Sequence, residues 1–199
     1  MEGSQKQEQG KENITEIKTF TVPFAVEEIR KNITVVTNAS TKSSQEEIIN
    51  QAFKFHSQGN ISEAAKYYQD FIDQGFNDHR VFSNYGVILK DLGQLKEAEK
   101  YQRKSIELNP DFTDAHSNLG NILKDLGKLE EAELSYRKAI QLNPDSADAY
   151  SNLGTILRDL GKLQEAESSY HKAIELNPDF ADAYSNLGTI LRDLGKLQE

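Results

Sequence analysis

The 199-residue chain is 37% hydrophobic and 28% charged, carries a formal net charge of −9, and has no cysteine. The missing thiols exclude disulfides, thiolate metal sites and cysteine nucleophiles together. The charge is unevenly placed: residues 1–44 balance six Lys/Arg against six Glu, whereas the remainder sets 17 basic side chains against 26 acidic ones. An acidic surface repels a phosphate backbone, whose neutralisation by Lys/Arg supplies most nucleic-acid affinity, so nucleic acid is not an expected partner. The opening MEGSQKQEQGKEN has no apolar signal-peptide core, and no run approaches the ~18 apolar residues of a membrane span. A cytoplasmic location without a membrane partner is the expectation.

In chain order, residues 1–18 read as disordered. Residues 19–37 (TFTVPFAVEEIRKNITVVT) are partly apolar but keep no sustained period, and 38–44 read as a polar linker. From residue 45 the chain repeats itself. Gly86, Gly120, Gly154 and Gly188 are spaced by 34 residues, as are Gly93, Gly127, Gly161 and Gly195, and Pro110, Pro144 and Pro178. This divides the chain into 79–112, 113–146, 147–180 and an incomplete 181–199, preceded by a divergent copy at 45–78. In that copy Gly59, Ala64, Tyr68 and Phe71 fit the pattern, but Ala52 stands for the glycine and Phe76 for the proline. Residues 19–44 then have one structural role in view, to cover the open end of the array.

Within each unit, position 4 is Phe82, His116, Tyr150 or Tyr184, position 7 is Tyr85, Leu119, Leu153 or Leu187, and position 11 is Leu89, Leu123, Leu157 or Leu191. With the glycine at position 8 these lie on one helical face. Ala98, Ala132 and Ala166 at position 20, with Tyr136 and Tyr170 at position 24, form a second face, and Gln102 takes the tyrosine's place in unit 79–112. The glycine and alanine allow two helices to approach closely. Asp111, Asp145 and Asp179, following the prolines, are expected to cap the next first helix, with Asp114, Asp148 and Asp182 favourable in its first turn. Gly93, Gly127, Gly161 and Gly195 are expected to end it. Glu99–Arg103 and Glu133–Arg137 are i,i+4 pairs on the second helix, each contributing ~0.2–0.5 kcal/mol. The resulting fold class is all-α, a right-handed α-solenoid of antiparallel helix pairs with turns near 59, 93, 127, 161 and 195.

The pattern resembles the tetratricopeptide repeat family, whose units read aromatic-x2-Leu-Gly-x2-Tyr/Leu, then Ala-x3-aromatic, then Pro. The resemblance implies a binding groove formed largely by the first helix of each unit, a protein or peptide partner, and no cofactor. The stretch ADAYSNLGTILRDLGKLQE occurs at 147–165 and again at 181–199, identical at all 19 positions, which fits recent duplication of one unit. The second copy stops barely inside its second helix. The expectation is a fragment of a longer array, able to self-associate through the helix from about Ala181 to Leu194.

Other motifs are weaker. GNILKDLGKL (Gly120 to Leu129) has six residues between glycines rather than a phosphate loop's four, and Leu follows the Lys where Ser or Thr would hold magnesium. His56, His79, His116 and His171 occupy four different repeat positions, so no metal site is expected. Asn13, Asn32, Asn38 and Asn60 are formal glycosylation sequons, which chance explains in a chain with no secretion signal.

Positions 2, 5, 6, 9, 12 and 13 remain once packing positions are assigned. Position 6 is Asn50, Asn84, Asn118, Asn152 and Asn186. A carboxamide both donates and accepts, so such a column suits a peptide backbone whatever its side chains. It resembles the asparagine ladder in the repeat half of O-linked N-acetylglucosamine transferases. The competing reading is that these asparagines bridge repeats or face solvent. Position 12 is Lys90, Lys124, Arg158 and Arg192, each followed by an aspartate, either a basic stripe for acidic peptides or a set of locally neutralised charges. A carboxylate clamp needs a basic residue near position 2, where Asp114, Asp148 and Asp182 stand. The sequence therefore predicts a non-catalytic protein-interaction module. The second reading is the substrate-presenting half of a larger glycosyltransferase or sulfotransferase whose catalytic domain lies beyond residue 199.

Overall fold

Apolar residues at 4, 7, 8 and 11 in one helix and at 20, 24 and 27 in the next bury themselves only if the two helices lie side by side. The computed structural model, which describes residues 44–196, folds this way. Expectations for residues 1–43 and 197–199 lie outside the described residues. Among the described residues there are nine helices and no strand: α1 over 44–57, α2 Ile61–Asp73, α3 His79–Asp91, α4 Leu95–Leu108, α5 Thr113–Asp125, α6 Leu129–Leu142, α7 Ala147–Asp159, α8 Leu163–Leu176 and α9 Ala181–Asp193. The closest packing joins α3 to α4, α5 to α6 and α7 to α8, and each second helix then packs on the following first helix. The main packing is between sequence neighbours, with lesser contacts of α3 with α5 and of α7 with α9, the arrangement of a helical solenoid.

The turns lie where the glycines place them. Gly59, Gly93, Gly127, Gly161 and Gly195 adopt φ from +69° to +76°, a region costly for any side chain. At Gly93 its N–H donates to the Lys90 carbonyl and the Gln94 N–H to that of Leu89, both at 2.8 Å, so the last turn of α3 closes on itself.

The helix starts differ from expectation. Asp111, Asp145 and Asp179 do not cap α5, α7 or α9, because each helix begins further along the chain. Their own N–H groups instead donate to Asn109, Asn143 and Asn177 Oδ1 at 3.2, 3.3 and 3.2 Å, bridging the intervening proline. Where a side chain caps a first helix, it comes from position 34: Asp78 accepts from the Arg80 N–H at 2.8 Å and Ser146 from that of Ala149 at 3.2 Å. Phe112 and Phe180 occupy that position before α5 and α9 and supply no cap.

Two devices lock the units together. Inside the array Tyr136 and Tyr170 are buried against glycine: a Cβ on Gly120 would lie 2.7 Å from the Tyr136 ring, and one on Gly154 would lie 2.9 Å from the Tyr170 ring. On the second helices a charge ladder spans each joint. Glu99 accepts from Arg103 at 2.9 Å and from Lys128 of the next unit at 2.9 Å, while Arg103 reaches Glu131 at 2.7 Å. Glu133, Arg137, Lys162 and Glu165 repeat this one unit later, and Lys196 meets Glu167 at 2.5 Å. The i,i+4 pairs read from the sequence are thus the inner half of an inter-repeat network.

Burial pushes the Glu99 and Glu133 carboxyls up, but hydrogen bonds from Lys128 and Arg103, and from Lys162 and Arg137, overcome it and leave both below the usual carboxylate value. A folded value below the unfolded one makes the stabilisation complete above the unfolded pKa near ~4.3 and removes it as pH falls through the depressed folded values. Thermal unfolding between roughly pH 5 and 3 should therefore be less pH-dependent in Glu99→Gln/Glu133→Gln than in the parent. Identical slopes would exclude the ladder as a source of acid sensitivity.

Candidate functional site

Position 6 falls on the first helix of each unit, one residue before the packed position 7. Asn84, Asn118, Asn152 and Asn186 are half-buried on α3, α5, α7 and α9, and Asn50 is exposed on α1. Two reach back to the preceding unit: Asn84 Nδ2 donates to the Tyr68 hydroxyl and Asn118 Nδ2 to Ser83 Oγ, both at 3.3 Å. Asn50, Asn152 and Asn186 make no side-chain hydrogen bond among the described residues. None of the five Oδ1 atoms accepts one there. The only buried, unpartnered side-chain polar atom among the described residues is Gln102 Oε1, so none of these carboxamide oxygens is fully buried.

Position 9, grouped by sequence with the free face, is turned inward instead. Asn121 Oδ1 accepts from the Tyr136 hydroxyl at 2.7 Å. Thr155 Oγ1 gives its proton to the Ser151 carbonyl at 3.2 Å, so the Tyr170 hydroxyl 3.0 Å away must donate to it. Burial raises the pKa of both tyrosines, which keeps them protonated as donors. The signal for this was present: where position 9 is Val87, position 24 is Gln102 rather than tyrosine. In the first unit position 9 is Phe53, and the Tyr68 hydroxyl turns to His56 Nδ1 at 2.9 Å. Its pKa is pushed up to about 12 by burial, partly offset by the hydrogen bond from Asn84.

The cations of position 12 are mostly engaged. Lys90 pairs with Asp91 at 3.1 Å, Arg158 with Asp159 at 3.0 Å and Arg192 with Asp193 at 3.8 Å, while Lys124 has no ion pair among the described residues. At position 2 the Arg80 guanidinium is clamped on Asp78, with Nη2 to Oδ2 at 2.8 Å. His116, at position 4, is buried and hydrogen-bonds through Nε2 to the Pro110 carbonyl at 2.8 Å, a packing role.

Family models described as tetratricopeptide repeat match residues 79–112, 147–180, and 101–133 with 169–199, and a model described as TPR repeat matches 120–157. The chain is a tetratricopeptide repeat protein. No curated protein matches it. Among solved structures it is similar to MamA protein (23% identity, TM-score 0.71, covering 78% of this chain and 85% of that one). It is also similar to the first tetratricopeptide repeat domain of Spaghetti (RPAP3) bound to the HSP90 peptide SRMEEVD (27%, 0.58, 59% and 93%). A third is YrrB, described as a TPR protein with an unusual peptide-binding site (24%, 0.66, 80% and 84%). MamA and YrrB lie under 25% identity and bear on the fold of the tetratricopeptide repeat array alone.

Proposed function

We propose that the array is a non-catalytic protein-interaction module that holds an extended peptide segment along its first helices. One observation carries this reading: each position-6 asparagine keeps an Oδ1 that is neither fully buried nor hydrogen-bonded among the described residues, repeated once per unit. Such a row can accept successive backbone N–H groups of an extended chain, and at Asn84 and Asn118 the Nδ2 anchor fixes the side chain beforehand. Its likeness to a repeat domain solved with a peptide supports a peptide partner. The peptide class differs from that one, because Arg80 is held by Asp78 and aspartates follow at position 2 in the next three units. Lys124, with no ion pair among the described residues, adds a preference for an acidic side chain near the centre. No helix among the described residues is long and apolar enough to cross a membrane, and we place the module in the cytoplasm. A second copy is the proposed partner of the α9 face, where Tyr184 is 51% exposed; equilibrium sedimentation independent of concentration would remove that proposal.

Titration calorimetry against a panel of extended peptides tests the ladder. Asn152→Ala removes no hydrogen bond within the array, so it should weaken binding roughly two- to tenfold, the equivalent of one hydrogen bond, with thermal stability unchanged. Asn84→Ala and Asn118→Ala should lose affinity and also up to ~1 kcal/mol of stability, because each gives up an inter-repeat contact. The loss should be similar for every peptide sequence. Parental affinity in all three variants would leave Asn84 and Asn118 as inter-repeat bridges only and Asn152 without a binding role.

A further inference from the structure

The second helices form another surface, and one joint on it is unlike the rest. A groove of about 670 Å³ opens between α2 and α4, walled by Ile72 and floored by Phe82 and Tyr101, with Lys96, Lys100 and Lys104 along α4. The Phe82 and Tyr101 rings stack at 6.0 Å with 20° between planes, and Lys100 Nζ lies 5.5 Å from the Tyr101 centroid. The equivalent groove two units on, against Tyr150, holds about 380 Å³. There Gln164, Ser168 and Ser169 occupy the positions of Lys96, Lys100 and Tyr101. Three departures from the repeat therefore converge on one groove, making it larger, aromatic and basic in a chain of net charge −9.

The carboxylates beside it are already committed. Glu99 is held by Arg103 and Lys128, and Glu107 by Lys104 at 2.7 Å. Lys96 has no ion pair among the described residues, and Lys100 reaches Glu97 only at 3.5 Å, with both side chains well exposed. An apolar floor beside under-compensated ammonium groups suits an occupant that buries a large apolar side chain and brings carboxylates with it. A basic or neutral segment would desolvate the lysines without compensation.

We propose that this groove is a second docking site, separate from the asparagine row, for an acidic segment of a partner protein carrying one bulky apolar anchor. The test uses the full 199-residue chain and fluorescence anisotropy with labelled Asp-Glu-Phe-Glu-Asp-Leu, a Lys-for-acid version, and a version with Ala for Phe. The variant Lys96→Gln/Lys100→Ser/Tyr101→Ser installs the residues that the same fold already carries two units later. It should bind the acidic probe at least about tenfold more weakly with unchanged helical circular dichroism. Lys96→Gln/Lys100→Gln, which touches exposed charges alone, should lose part of the affinity and most of its salt dependence. The Lys-for-acid and Ala-for-Phe probes should bind weakly to the parent, and the Asn84/Asn118/Asn152 alanine variant should retain the acidic probe. The proposal is overturned if the lysine variants stay within about twofold of the parent, if the Lys-for-acid probe binds equally, or if the asparagine variant loses the probe. It is also overturned if no probe binds while the lysine variants change sedimentation, which would make the groove a contact between copies. Retention of the acidic probe by the asparagine variant also keeps this test distinct from that of the first-helix site.

Discussion

Tyr136→Ala is expected to remove roughly 3–5 kcal/mol of stability, the usual cost of emptying a large aromatic site in a core. The ring is 1% exposed, lies directly against Gly120, and ends in a hydroxyl bonded to Asn121. Domains of this size are stable by only ~5–15 kcal/mol, so the loss is a large share of the total. Because each unit touches only its neighbours, the damage should fall on α5, α6 and their two joints, and urea unfolding should separate into two phases. Tyr136→Phe keeps the ring and gives up the hydrogen bond to Asn121, costing about 0.5–1.5 kcal/mol. A Tyr136→Ala midpoint close to that of Tyr136→Phe would show that the ring does not wedge the joint.

Leucine at Gly120 or Gly154 is expected to destabilise, whereas alanine at Gly188 is expected to stabilise. Replacing a helical glycine gains up to ~1 kcal/mol of helix propensity wherever there is room. At Gly120 and Gly154 there is none, since the new Cβ would sit 2.7 and 2.9 Å from a buried tyrosine ring, and overpacking of this kind costs ~1–3 kcal/mol or more. Alanine is too gentle a probe at these two sites. Ala52 already stands at the glycine's position in the first unit and is buried in one cluster with Tyr68, whose hydroxyl lies on His56. A Cβ at Gly188 has nothing within 4 Å among the described residues. The controlled comparison places leucine at both Gly154 and Gly188, because α7 and α9 share the sequence ADAYSNLGTILRD, so propensity is then identical and only surroundings differ. Thermal melts showing the same sign at Gly154 and Gly188 would refute the close-approach explanation.

The helix pairs and their turns were legible because a period of 34, a left-handed glycine and an Asn-Pro step each impose a local backbone geometry. The helix starts were misread at Asp111, Asp145 and Asp179. A carboxylate after proline suits a cap, but Asn109, Asn143 and Asn177 engage that backbone first and the helix begins later. Position 6 was legible as a column, yet its carboxamides behave differently at each step, since Asn84 finds Tyr68, Asn118 finds Ser83 and Asn152 finds neither. That depends on side chains one unit away, which a single-unit pattern does not contain. Position 9 was hidden for a related reason: Asn121 and Thr155 look like surface residues until their tyrosines are placed beside them. The groove between α2 and α4 was legible only as departures from the repeat at Lys96, Lys100 and Tyr101.

The ladder of Glu99, Arg103, Lys128 and Glu131 has a consequence for how the chain can change length. Its partners lie at fixed places in consecutive units, and Glu133, Arg137, Lys162 and Glu165 reproduce them. A further copy of 147–180 spliced in after Asp145 and Ser146 would arrive with its own lysine and glutamate already opposite the existing glutamate and arginine, and its glycine already opposite its tyrosine. Gain of one whole period thus keeps the joint before it fully paired and the lysine–glutamate half of the joint after it, where His171 stands in the place of Arg103 and Arg137, while a change of any other size disrupts the joint at which it falls. The first joint is outside this exchange, because Ala65, Gln69 and Gln94 stand where the ladder residues would be. Copy number is a free variable on one side of α4 and a fixed quantity on the other, so the array has a direction in which it can grow.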